Sequence, residues 1–125
     1  MLKVFISQPM NGRTNEEIMA ARTCAIDDIR NKIGDDFELL NNIFDDYPTD
    51  ADGNCTDDTK IAAPEYIPIK YLAKSIDVLA EANIVYFTWD YYIARGCRVE
   101  HEVARRYGKV VVVQDDPIAA KPITL

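Results

Sequence analysis

Glu100 stands four residues after Gly96 and four before Ala104, in a segment (residues 88–104) that follows an apolar, strand-like run and opens a helix-like one. In open parallel α/β sheets, ligands sit outside the carboxyl ends of the strands. A helix N-terminus there offers unpaired N–H groups and roughly half a positive charge. A carboxylate in the first turns of such a helix is expected to be biased towards its ionised form, which suits a nucleophile or an anchor for a substrate hydroxyl. His101 is the one histidine of the chain, so histidine triads and multi-histidine metal sites are excluded and a general base must be a carboxylate. With Cys97 and Ala104 at i−4 and i+3, His101 is expected to pack inward, and Glu102 to be a solvated charge.

The other candidates lie on loops and on one more helix. Ser7, Pro9, Met10, Asn11, Gly12 and Arg13 form a loop after the first strand-like run, beside a helix start at Thr14. Backbone N–H groups there can cradle a phosphate. The glycine content is too low for a dinucleotide or Walker fingerprint, so a plain turn stands as the alternative. Trp89, Tyr91 and Tyr92 follow a strand directly. They suit stacking on a flat base, and equally a packed aromatic cluster or a subunit interface. Asp77, on the helix before the third strand, is either a second functional acid or a surface charge. Asp50, Asp52 and Asn54 imitate a calcium loop, but Cys55 stands at its glycine position and Ile61 at its bidentate glutamate position, so no metal site is expected.

At 125 residues the chain has the size of one domain, and 48% hydrophobic with 28% charged residues is ordinary for a globular protein. A single domain over residues 1–125 is expected. The net charge of −7 argues against a groove for a nucleic-acid polymer but not against a small anionic ligand held by local donors. No apolar run approaches a membrane span, and residues 1–7 read as a strand rather than a targeting segment, so a cytoplasmic location is expected. Three cysteines (Cys24, Cys55 and Cys97) match neither a metal knuckle nor a redox pair and are expected to be reduced.

The elements that must position these residues follow from periodicity. Residues 2–7 are a short β-rich run. Thr14 and Glu17 form a capping box, and Ile18, Ala21, Ala25, Ile29 and Ile33 recur at helical spacing until Gly34. Residues 37–40 predict a weaker second strand. Residues 45–68, with six aspartates, one glycine and three prolines, predict a long surface loop. Ile69, Leu72, Ala73, Ile76, Leu79 and Ala80 keep a helical stripe closed by Asn83. Residues 84–87 and 110–113 are continuous apolar runs, the signature of strands buried on both faces. Strands alternating with helices predict a three-layer α/β sandwich with a four- to five-stranded, mainly parallel, flavodoxin/Rossmann-like sheet, residues 123–125 adding a short edge strand.

A first strand ending in a Ser-x-Pro-Met-x-Gly-type loop, Ala82-Asn83 before the run 84–87, and Gly96-x-x-x-Glu100-x-x-x-Ala104 before Tyr107-Gly108-Lys109-Val110 resemble the nucleoside 2-deoxyribosyltransferase superfamily. That superfamily includes the 2'-deoxynucleoside 5'-phosphate N-hydrolases. The nearest resemblance is to a small phage and bacterial branch that carries a Trp, then Ala-Arg-Gly-Cys, then Glu-His. It covers about two thirds of the chain. The resemblance implies that Glu100 is the nucleophile that attacks C1' of a deoxyribosyl group, with hydrolysis or transfer following by double displacement. It implies a nucleoside or nucleotide ligand, no cofactor, and a homo-oligomer (dimer or higher) in which a neighbour completes the site, with the aromatic loop or the tail 117–125 as interface. Ser7 to Arg13 would hold sugar or phosphate, Trp89 and Tyr92 would lie beside the base, and Arg95 and Gly96 would contact the ligand. Two positions depart from the pattern. Ala94 stands where the transferases carry Asp and the phosphate-specific hydrolases Ser. The family's acid on the preceding helix falls at Ser75, with Asp77 two residues along as its substitute. A non-catalytic binder of a nucleotide-like ligand and a merely structural domain are the competing expectations.

Overall fold

The structure is a computed structural model that describes residues 1–43 and 66–116. In chain order it contains β1 (Leu2–Ser7), α1 (Asn15–Ile33), β2 (Phe37–Leu39), α2 (Tyr66–Leu79), β3 (Ile84–Phe87), a single 3₁₀ turn at Tyr91–Ile93, α3 (Arg95–Arg106) and β4 (Val110–Val113). The strands form one sheet in the order β2-β1-β3-β4, and every pairing is parallel. The fold is therefore the Rossmann/flavodoxin-like α/β fold expected, with four strands among the described residues. The candidate edge strand 123–125, the tail 117–125, Cys55 and the aspartate-rich stretch 50–54 lie outside the described residues.

Strand alternation divides the core into two layers. Val4, Ile6, Ile84 and Tyr86 face α1 and pack on Ala25 and Ile29. Phe5, Val85 and Phe87 face the other way, onto Leu79 of α2 and Ala104 of α3. Because successive side chains on a strand point to opposite faces, Ser7 falls on the same side as Phe5, the α2/α3 side. Its register partner is Phe87.

Helix α1 starts and stops for local reasons. The Thr14 side chain accepts from the Glu17 N–H while the Glu17 carboxylate accepts from the Thr14 N–H, and Gly34 leaves the helix at φ 83°. Ile18, Ala25 and Ile29 are buried as the periodicity predicts, whereas Ile33 is exposed. Arg22, also buried, does not belong to the apolar stripe. It donates to Asn42 Oδ1 at 3.1 Å and to the Leu40 carbonyl at 3.2 Å, and Asn42 Nδ2 in turn donates to the Ile6 carbonyl at 2.7 Å. This polar chain ties α1 to the segment after β2 and to the end of β1.

Three expectations need correction. Helix α2 begins at Tyr66, inside the stretch expected to be loop. Pro68 does not prevent this, because in a first turn its missing N–H has no intrahelical partner to lose. Ile69, expected in the apolar stripe, is exposed. The third concerns β4: its four valines read as a strand buried on both faces, but among the described residues the strand order puts it at the edge, and Val110 and Val113 are exposed.

Arg22→Ala should lower stability by about 2–3 kcal/mol, since it strands the buried Asn42 and Leu40 acceptors. Arg30→Ala, removing an exposed arginine from the same helix, should change stability by no more than about 0.5 kcal/mol. Chemical denaturation of both variants checks the contrast.

Candidate active site

The sheet order reverses at β1 and β3: the chain leaves β1 through α1 towards β2, and re-enters on the other side at β3. The crevice beyond the carboxyl ends of these two strands is where open α/β folds bind ligands. β1 delivers Ser7 and Gln8 to it, and α3 delivers Glu100. On α3 the buried residues are Cys97, Glu100 and Ala104, spaced i, i+3, i+7 along one face. The stripe that docks α3 on the sheet thus carries the carboxylate inward.

Glu100 is 6% exposed. The Ser7 hydroxyl donates to its Oε1 at 2.9 Å, and Oε2 is buried with no hydrogen-bond partner. Ser75 of α2 approaches closely enough to favour the anion without meeting the geometry of a hydrogen bond to Oε2. Burial outweighs both hydroxyls, so the Glu100 pKa is pushed up to about 7. This reverses the direction expected from the helix N-terminus. Counted from its first residue, Arg95, Glu100 is the sixth residue of α3 and lies beyond the first turn, where the end field is strongest. Loss of hydration dominates there instead. The neighbouring Cys97 thiol is pushed up to about 12, chiefly by burial and then by the Glu100 charge, so it is unreactive.

A cavity of about 700 Å³ opens beside the carboxylate. Of the residues singled out from the sequence, Glu100, Pro9, Met10, Asn11, Arg13, Arg95 and Gly96 wall it, and Ser7 touches it through Glu100. Arg13 forms an ion pair with Asp90 at 2.6 Å, and the other Asp90 oxygen accepts from Thr88 Oγ1 at 2.9 Å. The loops after β1 and β3 are thereby latched together. Gly12 is in the turn closed by the Arg13 N–H and the Met10 carbonyl, and its φ of 77° is the reason for glycine there. At Gly96 a Cβ would lie 3.8 Å from Leu72 Cδ1, in the cavity wall, so glycine widens the cavity without relieving a clash.

Gly12, Asp77, Trp89 and Tyr92 are not among the residues that wall the cavity. Asp77 is exposed on α2, and Ser75 walls the cavity in its place. Tyr92 is 55% exposed, and the backbone N–H of Trp89 donates to Gln114 Oε1. Tyr91 and Phe87 hold His101, whose ring stacks on Tyr91 with centroids 4.9 Å apart, so the histidine packs as expected. Among the wall residues that the sequence did not single out are Gln8 and Arg98, while Ser75 was noted only as the place where an acid was expected. Arg98, one turn after Ala94 on α3, carried the only usable signal, since i+4 residues share a helix face.

Among the described residues, no cluster of three or more His, Cys, Asp and Glu side chains could hold a metal, and no helix is long and apolar enough to cross a membrane. Compared with protein-family models, curated proteins and solved structures, the chain shows no match.

The raised Glu100 pKa fixes a sign. The folded state binds this proton more tightly than the unfolded chain, so the contribution to stability is full below pH 4.5 and is lost as pH rises through about 7. Glu100→Gln cannot titrate. Its stability relative to wild type should therefore rise by about 3 kcal/mol between pH 4.5 and pH 8, a gap that thermal melts across that range measure.

Proposed function

We propose that the chain processes an N-glycosidic bond, with Glu100 as the nucleophile and a nucleoside or nucleotide as substrate. One observation carries this: a buried carboxylate whose Oε1 is held by Ser7 presents a second, unpartnered oxygen beside a cavity at the sheet's switch point. Holding one oxygen fixes the other, which is what an in-line attack needs. Oε2 attacks C1' of the deoxyribosyl group and forms a C1'–O ester bond. The C1'–N bond breaks, and its electron pair leaves with the base, which takes up a proton. Water cleaves the ester to give hydrolysis, or a second base does so to give transfer. Either second displacement restores the configuration at C1'.

The resemblance of Gly96-x-x-x-Glu100 and the Ser7-to-Arg13 loop to the nucleoside 2-deoxyribosyltransferase superfamily supports the same chemistry. Arg13, Arg95 and Arg98 around the cavity favour an anionic or strongly polar end on the ligand. In this proposal the protein is a cytoplasmic homo-oligomer that needs no cofactor, and a neighbouring copy assists the departing base.

A non-catalytic nucleotide-like binder is the second proposal, and one observation favours it. Among the described residues Glu100 is the only carboxylate walling the cavity, so no second acid is at hand to protonate the leaving base.

Incubation with deoxynucleosides, deoxynucleotides and NAD, monitored for free base, decides between the two. Wild type should release base, and Glu100→Ala and Glu100→Gln should each lose ~10³-fold or more of that activity. Ligand binding without base release would instead identify the binder. Because attack requires the anion, kcat/KM should rise with pH, level off above the Glu100 pKa of about 7, and lack this limb in both variants.

A further inference from the structure

Gln8 is 5% exposed and follows directly on Ser7, the residue that holds Glu100. Its Nε2 donates to the Ile18 carbonyl of α1 at 2.9 Å. A carbonyl only accepts, so this contact fixes the orientation of the amide: the reverse placement would set two oxygens against each other. The Gln8 Oε1 is then the free end of a pinned side chain, and it is buried with no hydrogen-bond partner. The two orphaned side-chain oxygens among the described residues are this one and Glu100 Oε2, and both residues wall the same cavity.

A buried acceptor without a donor costs free energy in the folded state, a cost that a bound ligand or an ordered water removes. The missing partner is a hydrogen-bond donor, and the cavity that Gln8 walls has room for one. We propose that Gln8 is a specificity-determining residue whose Oε1 accepts a hydrogen bond from the 3'-hydroxyl of a 2-deoxyribosyl ligand. This rests on the N-glycoside function above, in which Glu100 Oε2 faces C1'. The arginines draw the 5' end when it is phosphorylated, and a 2-deoxyribosyl 5'-phosphate then retains one hydroxyl, at 3'. A site that hydrogen-bonds a hydroxyl rejects the analogue lacking it more sharply than an apolar pocket separates two sizes, because the acceptor is left bare.

The test pairs each 2'-deoxynucleoside 5'-monophosphate with its 2',3'-dideoxy counterpart, using wild type, Gln8→Met and Gln8→Leu. The readout is kcat/KM where base is released and Kd by titration where it is not. Wild type should prefer the 3'-hydroxyl form by ~10-fold or more, and both variants should bring the ratio close to one. If Gln8 only braces Ile18, the variants weaken both ligands alike and the ratio is unchanged, which overturns the proposal while leaving the N-glycoside function standing. If no nucleotide of the panel is bound or cleaved, the role of Gln8 is overturned, and the base-release assay with unphosphorylated deoxynucleosides separately decides whether the N-glycoside function stands. Should the variants not fold, the Gln8 side-chain amide signal in wild-type NMR spectra still decides. It should shift further with the 3'-hydroxyl ligand than with the dideoxy one, and equal shifts overturn the assignment.

Discussion

The bond from Ser7 Oγ to Glu100 Oε1 joins residues 93 positions apart and depends on the two main regularities of the fold. Strand alternation on β1 turns Ser7 towards the helical layer formed by α2 and α3. Helical spacing on α3 turns Glu100 towards the sheet together with Cys97 and Ala104. Neither residue could reach the other if β1 and β3 were not adjacent, and they are adjacent because the chain reverses its direction across the sheet between β2 and β3. The carboxylate therefore inherits its position from the packing of apolar neighbours. Phe5, Val85 and Phe87 are each 0% exposed and form the floor under α3. The same packing removes water from Glu100, so the force that places the group also raises its pKa.

Around this acid the charges are arranged asymmetrically. Asp90 is committed on both oxygens, to Thr88 and to Arg13, and it holds a guanidinium at the cavity. Arg95 and Arg98 bring two more through the first turns of α3, where the helix end adds to the positive potential. A chain with a net charge of −7 thus gathers cationic groups at one site. An anion bound among them would oppose ionisation of Glu100, whereas positive charge developing on a sugar ring would favour it. On the nucleotide proposed above, the two effects would act at opposite ends of the ligand.

Much of this could be read in the sequence where the cause was local. The Thr14–Glu17 capping box, the Gly34 stop, the runs 2–7 and 84–87, and the spacing Gly96 to Glu100 each report a neighbour a few residues away. What failed needed the third dimension. The burial of Arg22 depends on Asn42, which arrives only after β2, and the exposure of β4 depends on strand order rather than on its valines. Asp77 and Ser75 illustrate the same limit at finer scale. Two residues along a helix is a rotation of roughly 200°, so only one of them can face the cavity, and an acid looks more functional than a serine until the phase is known. Gln8 carried no signal at all: an amide becomes informative only when one end is seen to be tied and the other is not.

Ala94, which stands where the resembled transferases carry an acid, bears on the charge of the site. It is the extended residue that precedes α3, at φ −106° and ψ 129°, and it walls the cavity that Glu100 walls. An aspartate in this place would cap the helix, but it would also put a second negative charge near a carboxyl already resisting ionisation, and it would offset the nearby arginines. Alanine forgoes the cap: the residue at the N-cap makes no side-chain bond to the helix. Alanine at 94 thus leaves Glu100, fixed by Ser7, as the cavity's sole carboxylate among the described residues.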